Sequence, residues 1–226
     1  MSFLGNLEWR RAVKHFAPAP PGAPPLDISP LLTAARAAPT CFGLQPFKII
    51  VVENAEAKER LAPVCYNQPQ VRECTHLLVF CARNDLEVRL EEFVTATGTP
   101  DAGKAMIENM ISHLSHPVHW AKHQAYIALG FALAAATEAK IATCPMEGFD
   151  PSGVSAALDL PHTLVPAVLL AVGHESSAPD ATPYPRFRFP ASDLIQHVST
   201  ASTVAPPRSR YRNATPVRRQ RKGKTD

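Results

Sequence analysis

WAKHQAYIALGFALAAATEAKIATCPMEGFD, residues 120–150, is the stretch whose reading decides the fold. Between Ala125 and Ala136 it holds no charged residue. A helix that is apolar all round is expected to be buried all round, because no face is left for water to solvate. It is too short to cross a bilayer, so it reads as the central strut of a core. Gly130 and the run Ala134, Ala135 and Ala136 would let neighbouring elements approach closely. Lys140 and the segment 141–144 then carry the chain out to Pro145-Met146-Glu147-Gly148-Phe149-Asp150, a turn-forming loop where chemistry is expected.

Outward from this strut, the pattern alternates between strands and helices. Residues 47–52, 77–82 and 164–172 are β-branched or apolar runs of strand length, read as buried strands. Residues 3–11 suggest a short helix with Phe3, Leu4 and Leu7 on one face. A stiff proline-rich connector spans 18–25. Ser29 as N-cap with Pro30 behind it starts a helix expected to reach Ala38. Residues 39–46 read as a loop, 55–61 as a helix and 67–70 as a polar loop. The charged segment 86–103 reads as an excursion, followed by a helix over 104–114 that displays Met106, Ile107 and Met110. Asp150 can cap a helix starting at Pro151. The alternation implies a mixed α/β architecture.

From about His197 the hydrophobic periodicity is lost, so residues 1–196 are expected to form the folded domain and 197–226 a mobile basic tail. The formal charge of +3 belongs to that tail. Eight basic residues from Arg208 onward against Asp226 give it +7 and leave −4 for the remainder. Nothing in the body suggests a nucleic-acid surface; only the tail does, and a solubilising end fits it better. Five cysteines, an odd number with no Cys-x-x-Cys pair, point to a reducing compartment and a cytoplasmic location. Glu8, Arg10 and Arg11 stand where a signal peptide needs its apolar region. No membrane span is expected.

Several chemistries are excluded by pattern. The ten glycines never fall in a dinucleotide-binding spacing, and a P-loop and a G-x-S-x-G elbow are absent. A phosphate would need basic side chains, and the best placed are Arg10, Arg11 and Lys14 with Arg186 and Arg188. The last two alternate with Phe187 and Phe189, a strand-like spacing that aims both guanidiniums one way; on spacing alone a solvated basic edge fits better. His113, His116, His119 and His123 have no interleaved carboxylate and are interrupted by Pro117, so no metal is expected and a polar helix entry or a pocket rim is the default. Glu147 is a candidate acid or base by position, although a Glu in a turn is ordinarily a solvated residue.

Read in order, these pieces resemble one family, the FMN-dependent nitroreductases of the oxygen-insensitive type. Arg10-Arg11-Ala12-Val13-Lys14-His15-Phe16 is similar to that family's R-x-S-x-K/R-x-F motif. Pro39-Thr40-Cys41-Phe42-Gly43-Leu44-Gln45-Pro46-Phe47 resembles its P-S-S-x-N-x-Q-P-W segment, and Leu78-Val79-Phe80-Cys81-Ala82 its second core strand. Pro145-Met146-Glu147-Gly148-Phe149-Asp150, Gly173-His174 and Pro185-Arg186-Phe187-Arg188 resemble its closing motifs. The match spans about residues 7–190.

The resemblance implies a three-layer α/β fold, a central mixed sheet flanked by helices, working as an intertwined homodimer with FMN at the subunit interface. It implies that Arg10, Arg11, Arg186 and Arg188 hold the FMN phosphate, that Lys14 lies near the flavin pyrimidine, and that Asn67 and Gln70 bond the ring's polar edge. The loop of Thr40, Cys41, Phe42 and Gly43 would reach across from the other subunit. The backbone around Pro145, Met146, Glu147 and Gly148 would meet flavin N5. Lys14 and the Glu147–Gly148 backbone would carry the catalysis, with Phe42, Met106 and Met110 lining the acceptor pocket. NAD(P)H would be the co-substrate and a nitroaromatic or quinone the acceptor, by a ping-pong mechanism. Ala12 stands where the family has Ser, Gly43 where it often has Asn, and Gln70 where close relatives carry Lys, which removes contacts to the flavin. A flavin-binding or sequestering protein of the same fold, with little turnover, stays open as the alternative.

Overall fold

The computed structural model describes residues 3–177 and 187–198. The chain divides into two compact units, Met1–Tyr184 and Pro185–Asp226.

In the first unit a five-stranded sheet is built on β5 (Leu164–Glu175). β5 pairs with β3 (His76–Arg83), with β4 (Ala142–Met146) and, at its C-terminal end, with β1 (Phe16–Ala17). β2 (Phe47–Val52) pairs with β3. All these pairings are antiparallel, and the parallel component is a bridge between Ala12 and Thr143. Period-two alternation sends successive side chains of the inner strands into two different cores. Leu77, Val79, Leu169 and Ala171 enter a cluster with Leu61, Val71 and Val154 of α3 (Ala55–Val64), α4 (Pro69–Glu73) and α8 (Pro151–Ala157). Leu78, Phe80, Leu170 and Val172 enter another with Leu31 and Ala35 of α2 (Ser29–Ala37) and Ala128 and Ala132 of α7 (Pro117–Glu138). Being covered on both faces, β3 and β5 read as continuous apolar runs rather than alternating ones. A third cluster, around Leu44, Leu86, Leu90, Ile107 and Ile111, lies under α5 (Leu86–Thr97) and α6 (Asp101–Ser112).

α7 is the expected strut, 22 residues long and begun by Pro117 at its first turn. It is not buried all round. Ile127 and Phe131 are 39% and 42% exposed, and with His123 and Gly130 they form one apolar-rich face open in the single chain. The small residues that let α2 and the sheet approach are Ala125, Ala128, Ala132 and Ala136, one per turn. Gly130 is not among them, since a methyl group there would meet nothing within 4 Å. The helix ends with Lys140 in the left-handed region at φ 55°, where Ile141 N–H donates to Ala136 C=O (2.9 Å) in a Schellman-type closure. The Lys140 ammonium lies 4.7 Å from the centre of the Trp9 ring of α1 (Phe3–Trp9), a contact that favours a residue other than glycine there.

Other expectations need correction. β2 is an edge strand and only partly buried, because no strand among the described residues covers its outer side. Phe3 and Leu4 of α1 are exposed, and the residue that this helix buries is Asn6. The N-cap of α2 is Ile28 rather than Ser29, and Asp27 supplies the capping oxygen, accepting from Ser29 N–H at 2.8 Å. The segment 67–70 is not a polar loop throughout: Pro69 opens α4, and Gln70 within it is 3% exposed. The excursion 86–103 is mostly helix α5, ended by Gly98 at φ 66°. Asp150 caps α8 as expected, accepting from Ser152 N–H at 3.0 Å. No helix among the described residues is long and apolar enough to cross a membrane. In the second unit, Phe187 and Phe189 pack edge to face at 4.9 Å ahead of α9 (Ala191–Leu194).

Candidate functional site

The Ala12–Thr143 bridge, with Val13 N–H donating to Thr143 C=O at 2.9 Å, lays the segment after α1 along β4. This register brings the Lys14 ammonium 3.6 Å from Cys144 Sγ. From α4, Gln70 Nε2 approaches the same buried sulfur at 3.7 Å. A thiol sulfur is a weak acceptor, so both donors keep most of their capacity for an oxygen or nitrogen of a ligand. Lys14 is exposed, which keeps the cost of its charge low. Beside it, Arg11 pairs with Glu175, while Arg11 Nε is buried without a partner among the described residues. A small crevice there is lined by Trp9, Arg10, Arg11, Thr143 and Glu175.

The loop after β4 is tied at several points. The Met146 side chain is 4% exposed and belongs to the core, so this residue faces a ligand only through its backbone. The Glu147 carboxylate, expected to be a solvated group, accepts a hydrogen bond from the Tyr126 hydroxyl of α7 at 2.7 Å. Burial, and then the hydrogen bond to Glu147 and its charge, push the Tyr126 phenol up to about 12. Gly148 C=O accepts from Gln68 Nε2 at 2.6 Å. Asp150 N–H donates to Val64 C=O at 2.8 Å.

The 39–46 loop is held both from within and by α7. Thr40 Oγ1 accepts from Gln45 N–H at 3.0 Å, and Cys41 N–H donates to Gln124 Oε1 of α7 at 3.0 Å. Phe42 and Gly43 follow in the left-handed region, at φ 55° and 74°, with the Phe42 ring 42% exposed. A bulky residue held there stores strain of about 1–3 kcal/mol, which is found where a loop is shaped for contact. Asn67 is also left-handed, at φ 52°, and its Oδ1 accepts from Arg72 at 3.3 Å.

The structure therefore gathers Lys14, Gln70 and Cys144 into one cluster and fixes the Glu147–Gly148 turn. No hydrogen bond or ion pair among the described residues links Thr40, Cys41 or Gly43 to that cluster. Met106 is exposed on α6 and Met110 packs against the third core cluster. Arg186 lies outside the described residues; Arg188 belongs to the second unit, where it donates to Phe187 C=O at 2.6 Å. The tail from residue 199 also lies outside them. Two open clefts, of about 440 and 370 Å³, are lined by none of the expected cofactor residues.

Tyr126, Gln68 and Gln124 escaped the reading of the sequence. For Gln124 and Tyr126 a signal was present, since a Gln and a Tyr inside an apolar helix need partners once buried, although the sequence does not name those partners.

Comparison with known proteins bears on the family. The chain is 32% identical over 197 residues to a protein of Thermus thermophilus called NADH dehydrogenase, covering 82% of this chain and 91% of that one. It is 29% identical to the major NAD(P)H-flavin oxidoreductase of Aliivibrio fischeri, over 67% of this chain and 77% of the other. A nitroreductase-type structure from Exiguobacterium sibiricum 255-15, solved in complex with FMN, superposes with a TM-score of 0.71 at 20% identity, covering 88% and 98% of the two chains. The Nitroreductase family model matches residues 7–174, from the segment that carries Arg10, Arg11 and Lys14 to the closing strand of the sheet, and the chain belongs to that family.

Proposed function

We propose that the protein is an FMN-dependent NAD(P)H oxidoreductase that passes hydride to an electron-poor acceptor, a nitroaromatic or a quinone, in a ping-pong cycle. The observation that carries this reading is the pair of under-used donors, Lys14 and Gln70, converging on Cys144 Sγ in a chain whose family match spans both. FMN, when bound, supplies the hydride-transferring centre. The chain's residues hold and orient it. Lys14 offers a cation where negative charge gathers on reduction, and Gln70 and Asn67 offer amides to the ring edge. Arg10 and Arg11 take the phosphate; the Arg11 Nε is buried with no partner among the described residues. The backbone at Pro145, Met146, Glu147 and Gly148 faces the ring.

In this reading the protein works as a homodimer, which covers the apolar face of α7 with a second copy. The loop of Thr40, Cys41, Phe42 and Gly43 then serves the partner's pocket, and Phe42, Met106 and Met110 line the acceptor side. The catalytic body is residues 1–196, in the cytoplasm, and the basic tail 197–226 is a solubilising extension rather than a nucleic-acid contact.

A visible spectrum tests the proposal. Purified protein carries, or takes up, FMN with its yellow absorbance; NADH or NADPH bleaches it without oxygen, and a quinone restores it. Protein that stays colourless with added FMN refutes it. Ala12, which offers no hydroxyl where the family has one, favours a second reading, a flavin-holding protein with little turnover. Rapid bleaching and reoxidation exclude that one.

A further inference from the structure

The turn at Glu147 and Gly148 is gripped by side chains from two elements remote in sequence. Tyr126, midway along α7, donates to the Glu147 carboxylate at 2.7 Å. Its hydroxyl also lies 3.4 Å from Ala167 C=O on β5, so the phenol is wedged between the sheet and the turn. Gln68, just before α4, uses one amide nitrogen for two carbonyls, Gly148 at 2.6 Å and Cys65 at 3.0 Å. Both donor hydrogens are thereby engaged, which fixes which way the amide faces. The following Pro69 holds Gln68 in an extended conformation at ψ 129°. A methyl group at Gly148 would come within 3.1 Å of Gln68 Nε2, so the amide is packed directly on the turn.

Glu147 is exposed and, without this contact, would be an ordinary solvated carboxylate. We infer that Tyr126 and Gln68 are positioning residues: Tyr126 through the Glu147 carboxylate, and Gln68 through the Gly148 carbonyl, set the direction of the peptide that the turn presents to the cofactor. The inference rests on the FMN reading given above. Neither side chain supplies charge or a proton to the reaction; removing either one loosens an angle. Small misplacements of a reacting geometry lower a rate steeply, so a drop of about tenfold is expected for each loss.

Amide hydrogen exchange on the cofactor-free protein and stopped-flow reduction by NADPH of the FMN-loaded protein test this together. In Tyr126→Phe and Gln68→Ala, exchange rises at residues 147–149 while β3 and β5 keep their protection. FMN reduction slows about tenfold, with FMN affinity within about threefold of the parent. Glu147→Ala behaves like Tyr126→Phe, and combining the two adds nothing, because both remove one contact. Glu147→Gln, whose amide oxygen still accepts from the phenol, recovers most of what Glu147→Ala loses. Unchanged exchange at 147–149 in both variants, or additive effects of Tyr126→Phe and Glu147→Ala, overturns the inference. Failure of the parent protein to bind FMN is a separate result, read before any variant is made, and overturns the cofactor reading and this role with it.

Discussion

Replacing Lys14 by methionine keeps the length of the side chain and removes its charge, which isolates what the ammonium does. In the structure this group is exposed and, among the described residues, is offered only a sulfur, at 3.6 Å, so it costs the apo fold little to hold it there. Its value is expected to appear when the cofactor is reduced and negative charge collects beside it. A hydrogen bond to a charged group contributes about 1.5–3 kcal/mol, and the exposure of Lys14 argues for the lower half of that range. For a two-electron couple about 1.4 kcal/mol corresponds to 30 mV. Lys14→Met should therefore lower the FMN midpoint potential by about 30–50 mV and slow reduction by NADPH, while FMN affinity changes by less than about threefold. Equilibration with a reference dye under anaerobic conditions reads the potential, and fluorescence titration reads the affinity. The paired change Arg186→Ala with Arg188→Ala should do the reverse, weakening FMN retention at nearly unchanged potential. If Lys14→Met leaves the potential within about 10 mV and weakens FMN more than tenfold, Lys14 belongs to the phosphate end and the orientation proposed for the cofactor is inverted.

Gly173→Ala would place a methyl group 2.8 Å from Phe16 Cδ1 and 3.2 Å from the Thr75 backbone nitrogen; Phe16 is 5% exposed and cannot swing away. Overpacking of this kind costs about 1–3 kcal/mol, so calorimetry should find Tm lowered by several degrees, and an unchanged Tm would mean that β1 is not seated on β5 as described. Phe131→Glu puts a charge on the open face of α7 and should yield a monomer in sedimentation analysis; a dimer that persists places the interface elsewhere. Tyr126 should ionise late, at a pKa of about 12. Its folded pKa lies above the unfolded value of about 10, so the stability it contributes is whole below pH 10 and is lost as pH rises through about 12. Absorbance near 295 nm should show this as a late phase absent from Tyr126→Phe; a titration with no such phase would contradict it.

The sheet and α7 were legible in the sequence because burial on both faces writes a continuous apolar run, which length alone sorts into strand or helix. The open face of α7 was not legible for the same reason: Ile127 and Phe131 have the composition of core residues whether neighbouring elements of the chain or a second copy cover them. α4 was missed because five residues are too few to show a period, and its one marker, Pro69, is also a loop residue. At the candidate site, motif order singles out Lys14, Glu147 and Gly148, whereas Gln68 and Tyr126 make hydrogen bonds across 80 and 21 residues of sequence, to partners that no local pattern encodes.

Gln124 and Tyr126 are separated by about 200° around α7, so they leave the helix on nearly opposite sides. One holds the backbone of the 39–46 loop and the other holds the Glu147 turn. A single rigid element thus sets the distance between two segments that, in the homodimer proposed above, serve different pockets: the turn its own, the loop its partner's. Any displacement of α7 must then move the peptide facing one flavin and the rim of the other together. Substitutions on the buried side of α7, such as Ala128→Val or Ala132→Val, should consequently disturb both pockets of the dimer, although neither residue touches either one. In a heterodimer carrying Ala132→Val on one chain only, both flavins should show altered reduction rates; a change confined to one flavin would mean that the loop and the turn are positioned independently.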